Sequence, residues 1–282
     1  MRPQERGARP SGLAELPYPT TNPLSSVASF VQKTLVIAEL EVRKLRHDPT
    51  ELLIRAVQPA LWLVVFGEVF THVRAIPTGQ IRYLDFIAPG ILAQSALFIA
   101  IFSGMTIIWE RDLGIVHKFL VSPTPRAALA LGKALAGAVR ALSQAVVIYL
   151  LALALGVKMN WNPLGLVGVL ALVLLTAASF CAFSLIIAFI IKTRERFMGI
   201  AQLLTMPTFF ASNAIYPISI MPRWLQVAAR GNPLTYEVDA LRTLMLPSGI
   251  SVYGLGVDFG VLLLATAVLV TVAARLYPRA AT

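Results

Sequence analysis

Between Trp109 and Lys133 the chain reads WERDLGIVHKFLVSPTPRAALALGK, with Glu110, Arg111, Asp112, His117, Lys118, Arg126 and Lys133 as ionisable side chains. Glu110 and Asp112 are paired acids of the kind that general acid–base chemistry uses. Their basic neighbours suit them better to ion pairs at a docking surface. Leu113, Val116, Leu120 and Val121 are spaced like one apolar helix face. Gly114 allows a close backbone approach or a sharp bend. Ser122-Pro123-Thr124-Pro125 then forces a turn, because residues before proline avoid the helical region. A short amphipathic helix stopped by a proline turn suits contact with a soluble partner. An ordinary basic loop would carry the same charges.

Other chemistry finds little footing. No G-x-x-x-x-G-K-[ST] phosphate loop occurs, since Gly132-Lys133 lacks the upstream glycine and the following hydroxyl. His47, His72 and His117 lie in three different segments, and Cys181 is the single cysteine, inside an apolar run. That pattern offers neither a metal cluster nor a disulfide framework. H-E-x-x-H and G-x-S-x-G are absent. The residues therefore give no cofactor, metal or catalytic assignment on this chain, and ATP binding cannot be argued for it.

The elements that must hold the Trp109–Lys133 segment are apolar. Of 282 residues 57% are hydrophobic and 13% charged, with a mean hydropathy of +0.75. Soluble domains average about 25% charged, so this much apolar surface implies an all-α polytopic membrane protein. Six spans are expected, over about 52–72, 86–109, 129–156, 164–191, 197–217 and 255–276, from runs near the ~20 residues a bilayer needs. In the first span, Arg55 would snorkel inward and Glu68 would approach the outer face. Gln58-Pro59 would loosen that helix near its start. Pro207 would kink the fifth span. Residues 214–250 mix prolines, aromatics and charges, and read as short outer helices between spans five and six.

Residues 1–26 carry Pro3, Pro10, Pro17, Pro19 and Pro23 without a signal-peptide apolar region, and read as a disordered cytoplasmic tail. Over 27–50, Val31, Leu35, Ala38, Val42 and Leu45 recur at helical spacing, with Lys33, Arg43, Lys44 and Arg46 elsewhere around the helix. That stretch suits an amphipathic helix on the inner interface, against anionic lipid headgroups. A net charge of +10 is also found in nucleic-acid binders, but here the basic residues flank apolar spans. With both termini inside, 18 of the 24 Lys and Arg fall on the inner side, as the positive-inside rule asks. The Trp109–Lys133 segment is then inside too.

Two stretches resemble the ABC-2 type transport permeases. The first is ERD-x-G followed by SPTPR and GK, within Trp109–Lys133. The second runs from Phe209 to Leu246, with Ser212, Tyr216-Pro217, Met221-Pro222, Trp224, Asn232-Pro233-Leu234-Thr235-Tyr236, Asp239 and Leu241-Arg242. The resemblance covers about residues 35–278, with residues 51–278 as the ABC-2 transmembrane domain. It is nearest to bacterial permeases of the daunorubicin-resistance and nodulation-factor exporter groups, in the cytoplasmic membrane.

The resemblance implies that Glu110, Arg111, Asp112, Gly114, His117, Lys118, Pro123 and Arg126 contact a separate ATPase subunit. ATP and Mg would sit on that partner. It also implies a second permease chain, alike or different, and a path bordered by the second and fifth spans. Gln94, Ser95, Ser103, Gln202, Thr205, Thr208 and Asn213 are polar positions on those spans. Such groups in lipid face other helices or a cavity. Phe98, Phe102, Phe209 and Phe210 would make the path apolar, favouring a hydrophobic drug, lipid or lipid-linked saccharide. In the outer segment, Trp224 and Tyr236 suit an interface, and Asn232 can cap a helix starting at Pro233. Asp239 and Arg242, at i and i+3, can pair on one helix face. A polysaccharide or teichoic acid permease shares the layout, but 9% aromatic residues give no sign of a sugar track. An ion-coupled carrier would place charges at mid-membrane, and the second, fourth and fifth spans have none.

Overall fold

The computed structural model describes residues 54, 57–73, 76–78, 81–116, 126–191, 193–249 and 251–277, with backbone alone for 126–128. The expected tail, the interfacial helix and the Ser122–Pro125 turn lie outside these residues. So do Arg55, His117, Lys118 and the side chain of Arg126.

Among the described residues every regular element is helical. In chain order these are α1 (Val57–Val73), α2 (Tyr83–Ser103), α3 (Met105–Asp112), α4 (Arg126–Ala154) and α5 (Pro163–Ile190). Then come α6 (Arg194–Phe210), a 3-10 turn (Ile218–Ile220), α7 (Arg223–Arg230), α8 (Pro233–Met245) and α9 (Leu255–Leu276). A five-residue π-helical stretch, Trp62–Phe66, interrupts α1 three residues after Pro59.

Among the described residues, four segments are long and apolar enough to cross a bilayer: Tyr83–Asp112, Leu129–Ala154, Pro163–Ile190 and Leu255–Leu276. α1 is a shorter apolar helix. α6 has 17 residues, and it opens on Arg194-Glu195-Arg196.

α5 is the hub, packed against α2, α4, α8 and α9. Its sequence is apolar on every side, as a helix surrounded by neighbours requires. It starts where Asn162 Oδ1 accepts the Leu164 N–H at 3.0 Å, with Pro163 in the first turn. α4 packs against it and carries a stripe of buried alanines, Ala130, Ala134, Ala138, Ala141 and Ala145, spaced by three and four. Lipid tails are as apolar as leucine, so helices in a bilayer associate by close packing and interhelical hydrogen bonds. The alanine stripe lets the α4 backbone approach its neighbours.

The break between α2 and α3 has the same origin. The Ser184 hydroxyl of α5 donates to the Ile101 carbonyl and accepts from the Gly104 N–H at 3.1 Å. A Cβ on residue 104 would overlap Ser184, so only glycine fits. Large apolar side chains remain exposed along α9 (Val257, Leu263, Leu264, Val268) and α5 (Leu164, Val167, Leu170). Such a surface needs lipid or protein to cover it.

α6 ends at Phe210, seven residues short of the expected boundary. Residues 211–216 turn instead, because side chains from α8 and from the residue that caps it take the carbonyls of this region. The Asn232 amide donates to Thr208 O at 2.7 Å and Ala211 O at 2.9 Å. The Arg242 guanidinium donates to Asn213 O at 2.9 Å.

Candidate functional site

The bundle has two polar ends with a cavity between. At the first, α3 follows Gly104 and carries Trp109, Glu110, Arg111 and Asp112 to its last turn. Lys133 of α4 donates to Glu110 Oε1. Arg194, at the start of α6, donates to Asp112 Oδ2 at 2.7 Å, and its guanidinium stands 5.5 Å from the Trp109 ring centre. Two acids in the last turn of α3 thus hold two different helices. Gly114 has φ +69°, with open space around it. Its role is therefore the bend, since that backbone favours glycine. Leu113 is 72% exposed beside it, while Val116 is fully buried. Of the proposed contact residues, His117, Lys118 and Pro123 lie outside the described residues, and Arg126 is placed by its backbone at the start of α4.

Behind this end lies a cavity of about 720 Å³. α1 contributes Gln58 and Pro59, and α2 contributes Gln94, Ser95, Phe98 and Phe102. Met105, Trp109 and Glu110 come from α3, Arg140 and Gln144 from α4, and Met198 from α6. The Phe98 and Phe102 rings stack 6.2 Å apart at 18°. The other polar positions of the expected path lie elsewhere. Ser103 points between α4 and α5, with its hydroxyl donating to Ala100 O at 2.6 Å and lying 3.1 Å from Cys181 Sγ. Gln202 is exposed. Thr205 and Thr208 donate to carbonyls of their own helix, Ala201 and Leu204. Asn213 is buried in the turn after α6, and Phe209 packs edge-on to Trp62.

At the opposite end, α8 lies against the N-terminal parts of α2, α5 and α9. Asn232 joins two helices. Its Oδ1 accepts the Leu234 N–H at 3.0 Å, starting α8, while its Nδ2 closes the end of α6. Asp239 and Arg242 do not pair on the α8 face. Asp239 Oδ2 accepts from Val252 N at 2.8 Å, Tyr253 N at 3.1 Å and Ser251 Oγ at 2.9 Å. The same hydroxyl reaches Asp258 Oδ2 of α9 at 3.1 Å.

Arg242 turns the other way, towards Asn213 O and Phe86 O, with the Phe86 ring centre 3.9 Å away. Backbone donors after α8 outbid the i, i+3 partner for the carboxylate. Burial lowers the Arg242 pKa to about 10, and Asp239 opposes that fall. The side chain is thus still charged at neutral pH. Trp224, on α7, is exposed. Tyr236 donates to Arg230 O at 2.8 Å, and its ring meets Tyr253 at 5.0 Å. Arg82 and Asp85 of α2 complete this end, binding Gly156 O at 2.8 Å and Lys158 N at 3.2 Å.

Glu237 escaped the reading of the sequence. It is wholly buried, and neither carboxyl oxygen has a partner. Burial pushes its pKa well above the usual carboxylate range. The signal was present: Glu237 falls on the stripe of Leu234, Leu241 and Met245, where an apolar residue belongs.

A helical body with several bilayer-length apolar helices, an ion-paired end and a mostly apolar cavity is that of a polytopic membrane protein. Residues 32–246 match the ABC-2 type transporter family, and the chain belongs to that family. It is 30% identical over 224 residues to a protein described as the transport permease ycf38 of Cyanophora paradoxa, covering 78% of this chain and 77% of that one. It is 25% identical over 218 residues to the daunorubicin resistance ABC transporter permease protein DrrB1 of Streptomyces coeruleorubidus, covering 77% and 76%. Nodulation protein J of Rhizobium leguminosarum bv. trifolii is 28% identical over 170 residues, covering 60% and 64%.

Proposed function

We propose that this chain is the membrane subunit of an ATP-binding-cassette exporter that moves a hydrophobic drug, lipid or lipid-linked saccharide across a bacterial cytoplasmic membrane. A separate ATPase chain holds ATP and Mg and docks on residues 110–126. A second permease chain completes the path. Six spans cross the bilayer, with α1 and α6 as the first and fifth, both termini are cytoplasmic, and residues 27–50 lie along the inner interface.

One observation carries this reading: α3 ends in two acids held by two different helices, Glu110 by Lys133 of α4 and Asp112 by Arg194 of α6. A push on α3 reaches both helices through charged side chains. Those side chains can slide without unpacking the core, and all of this happens beside the cavity. The daunorubicin-resistance relative supports the cargo class, and its being an ABC transporter permease protein supports the pairing with an ATP-driven system. The test is reconstitution of the chain with its ATPase in proteoliposomes. Export should stop when the ATPase phosphate loop is disrupted, and it should fall sharply with Asp112→Ala while assembly persists. Export that continues without a working ATPase would reject the reading.

A further inference from the structure

The cavity holds an anomaly that an apolar path does not need. Gln94 and Gln144 both line it, on α2 and α4. They are 2% and 1% exposed, and neither amide oxygen nor amide nitrogen of either has a hydrogen-bond partner. A buried polar group without a partner costs about 1–3 kcal/mol. Two such amides lining one cavity, from α2 and α4, carry that cost four times over. An apolar side chain at either position would remove it, as Phe98, Ile99 and Phe102 of the same lining do at theirs.

We infer that Gln94 and Gln144 form the polar recognition point of a ligand site. The ligand is a neutral, apolar ring compound carrying carbonyl or hydroxyl oxygen. The inference rests on the chain being a permease. Each amide offers two N–H donors and one acceptor oxygen, which matches a carbonyl or a hydroxyl without supplying charge, and the charged groups of the lining are already engaged, Glu110 by Lys133 and Arg140 by a contact within the protein. Stacked Phe98 and Phe102, one and two turns from Gln94 on α2, offer flat apolar surface to a ring system. At about 720 Å³ the space falls in the usual range for small-molecule pockets. Ser95 adds little, because its hydroxyl is already spent on the Ile91 carbonyl at 2.8 Å.

The test uses the full chain in lipid nanodiscs without any ATPase, so its outcome is independent of coupling. The probe is radiolabelled progesterone, a rigid ring compound with a carbonyl at each end. The competitor is 5α-pregnane, the saturated hydrocarbon skeleton of progesterone without its oxygens. Progesterone should bind saturably and pregnane should compete at least tenfold more weakly. Gln94→Met and Gln144→Met, which keep volume and lose the hydrogen bonds, should each weaken binding at least tenfold. The thermal midpoint of each ligand-free variant should stay level or rise, since an unsatisfied group has been removed. Absence of saturable binding, equal competition by pregnane, or unchanged affinity in both variants would overturn the site. A fall in both ligand-free midpoints would show that the amides already bond within the protein, and would overturn it too.

Discussion

The two ends of the bundle use charge in opposite ways. At the α3 end, side chains of opposite sign join helix to helix, and the Asp112–Arg194 pair is about half exposed. At the α8 end, polar side chains are buried and bind backbone: Asn232 to Thr208, Ala211 and Leu234, Arg242 to Asn213 and Phe86, Asp239 to Val252 and Tyr253. Exposed ion pairs contribute little, ~0–1 kcal/mol, and can be remade in new geometries. Buried bonds to fixed carbonyls cannot shift without leaving groups unsatisfied. The α3 end is thus built to be moved, and the α8 end to hold still. Mutations should separate accordingly, with stability lost at α8 and coupling lost at α3.

The largest stability effect should come from Arg242→Met. It strands the Asn213 and Phe86 carbonyls and removes the cation over the Phe86 ring. A loss of about 3 kcal/mol is expected, read as a lower thermal midpoint in detergent. A change no larger than that of Asp112→Asn would break the contrast between the ends.

Asn232 sharpens it. Asn232→Leu should cost about 2 kcal/mol by removing a cap and two donated bonds. Asn232→Asp keeps the acceptor that starts α8 but loses the donors that close α6, so it should recover only part of that loss. Full recovery would show that α6 does not depend on this amide.

Much of the bundle was legible from apolar run length alone, since α2, α4, α5 and α9 each carry a span's worth of residues between charged or proline-marked turns. α6 was not, because its end is set by Asn232 and Arg242, residues more than twenty positions away. Periodicity reports only local order. The Asp239–Arg242 pair failed for a related reason. Helical spacing names the neighbour within reach, whereas the Val252 and Tyr253 N–H groups arrive by a loop whose path the spacing does not encode. At the site, Gln94 and Ser95 were legible as polar residues in an apolar run. Their separation from Gln202, Thr205 and Thr208 was not, because helix rotation about the cavity depends on packing. That Gln94 and Gln144 line one cavity was hidden likewise, as they stand on different helices.

Glu237 sets a pH dependence at the α8 end alone. Its pKa in the folded state lies above the unfolded value, so its contribution is fully present below the usual carboxylate range and is lost as pH rises towards the folded value. Glu237→Gln should flatten this fall and raise the thermal midpoint at pH 8 relative to the parent, at roughly 2–4 °C per kcal/mol. Parallel midpoint curves for parent and variant between pH 5 and 8 would remove Glu237 from the account.

The smallest stability change should be that of Asp112→Asn, below about 1 kcal/mol, with an unchanged elution profile in detergent. ATPase stimulation by the reconstituted chain should nevertheless drop severalfold. A variant that is destabilised but still coupled would reverse the roles assigned to the two ends.

The central claim, that the motor subunit grips the α3 end, is tested most directly by placing one reactive thiol at each end. Leu113 and Val252 are equally open, at 72% and 71% exposed, and the native thiol, Cys181, is buried. With a short thiol crosslinker and the cognate ATPase, Leu113→Cys should yield a permease–ATPase adduct whose amount changes with nucleotide, and Val252→Cys should yield none. An adduct at Val252→Cys with none at Leu113→Cys would contradict the account.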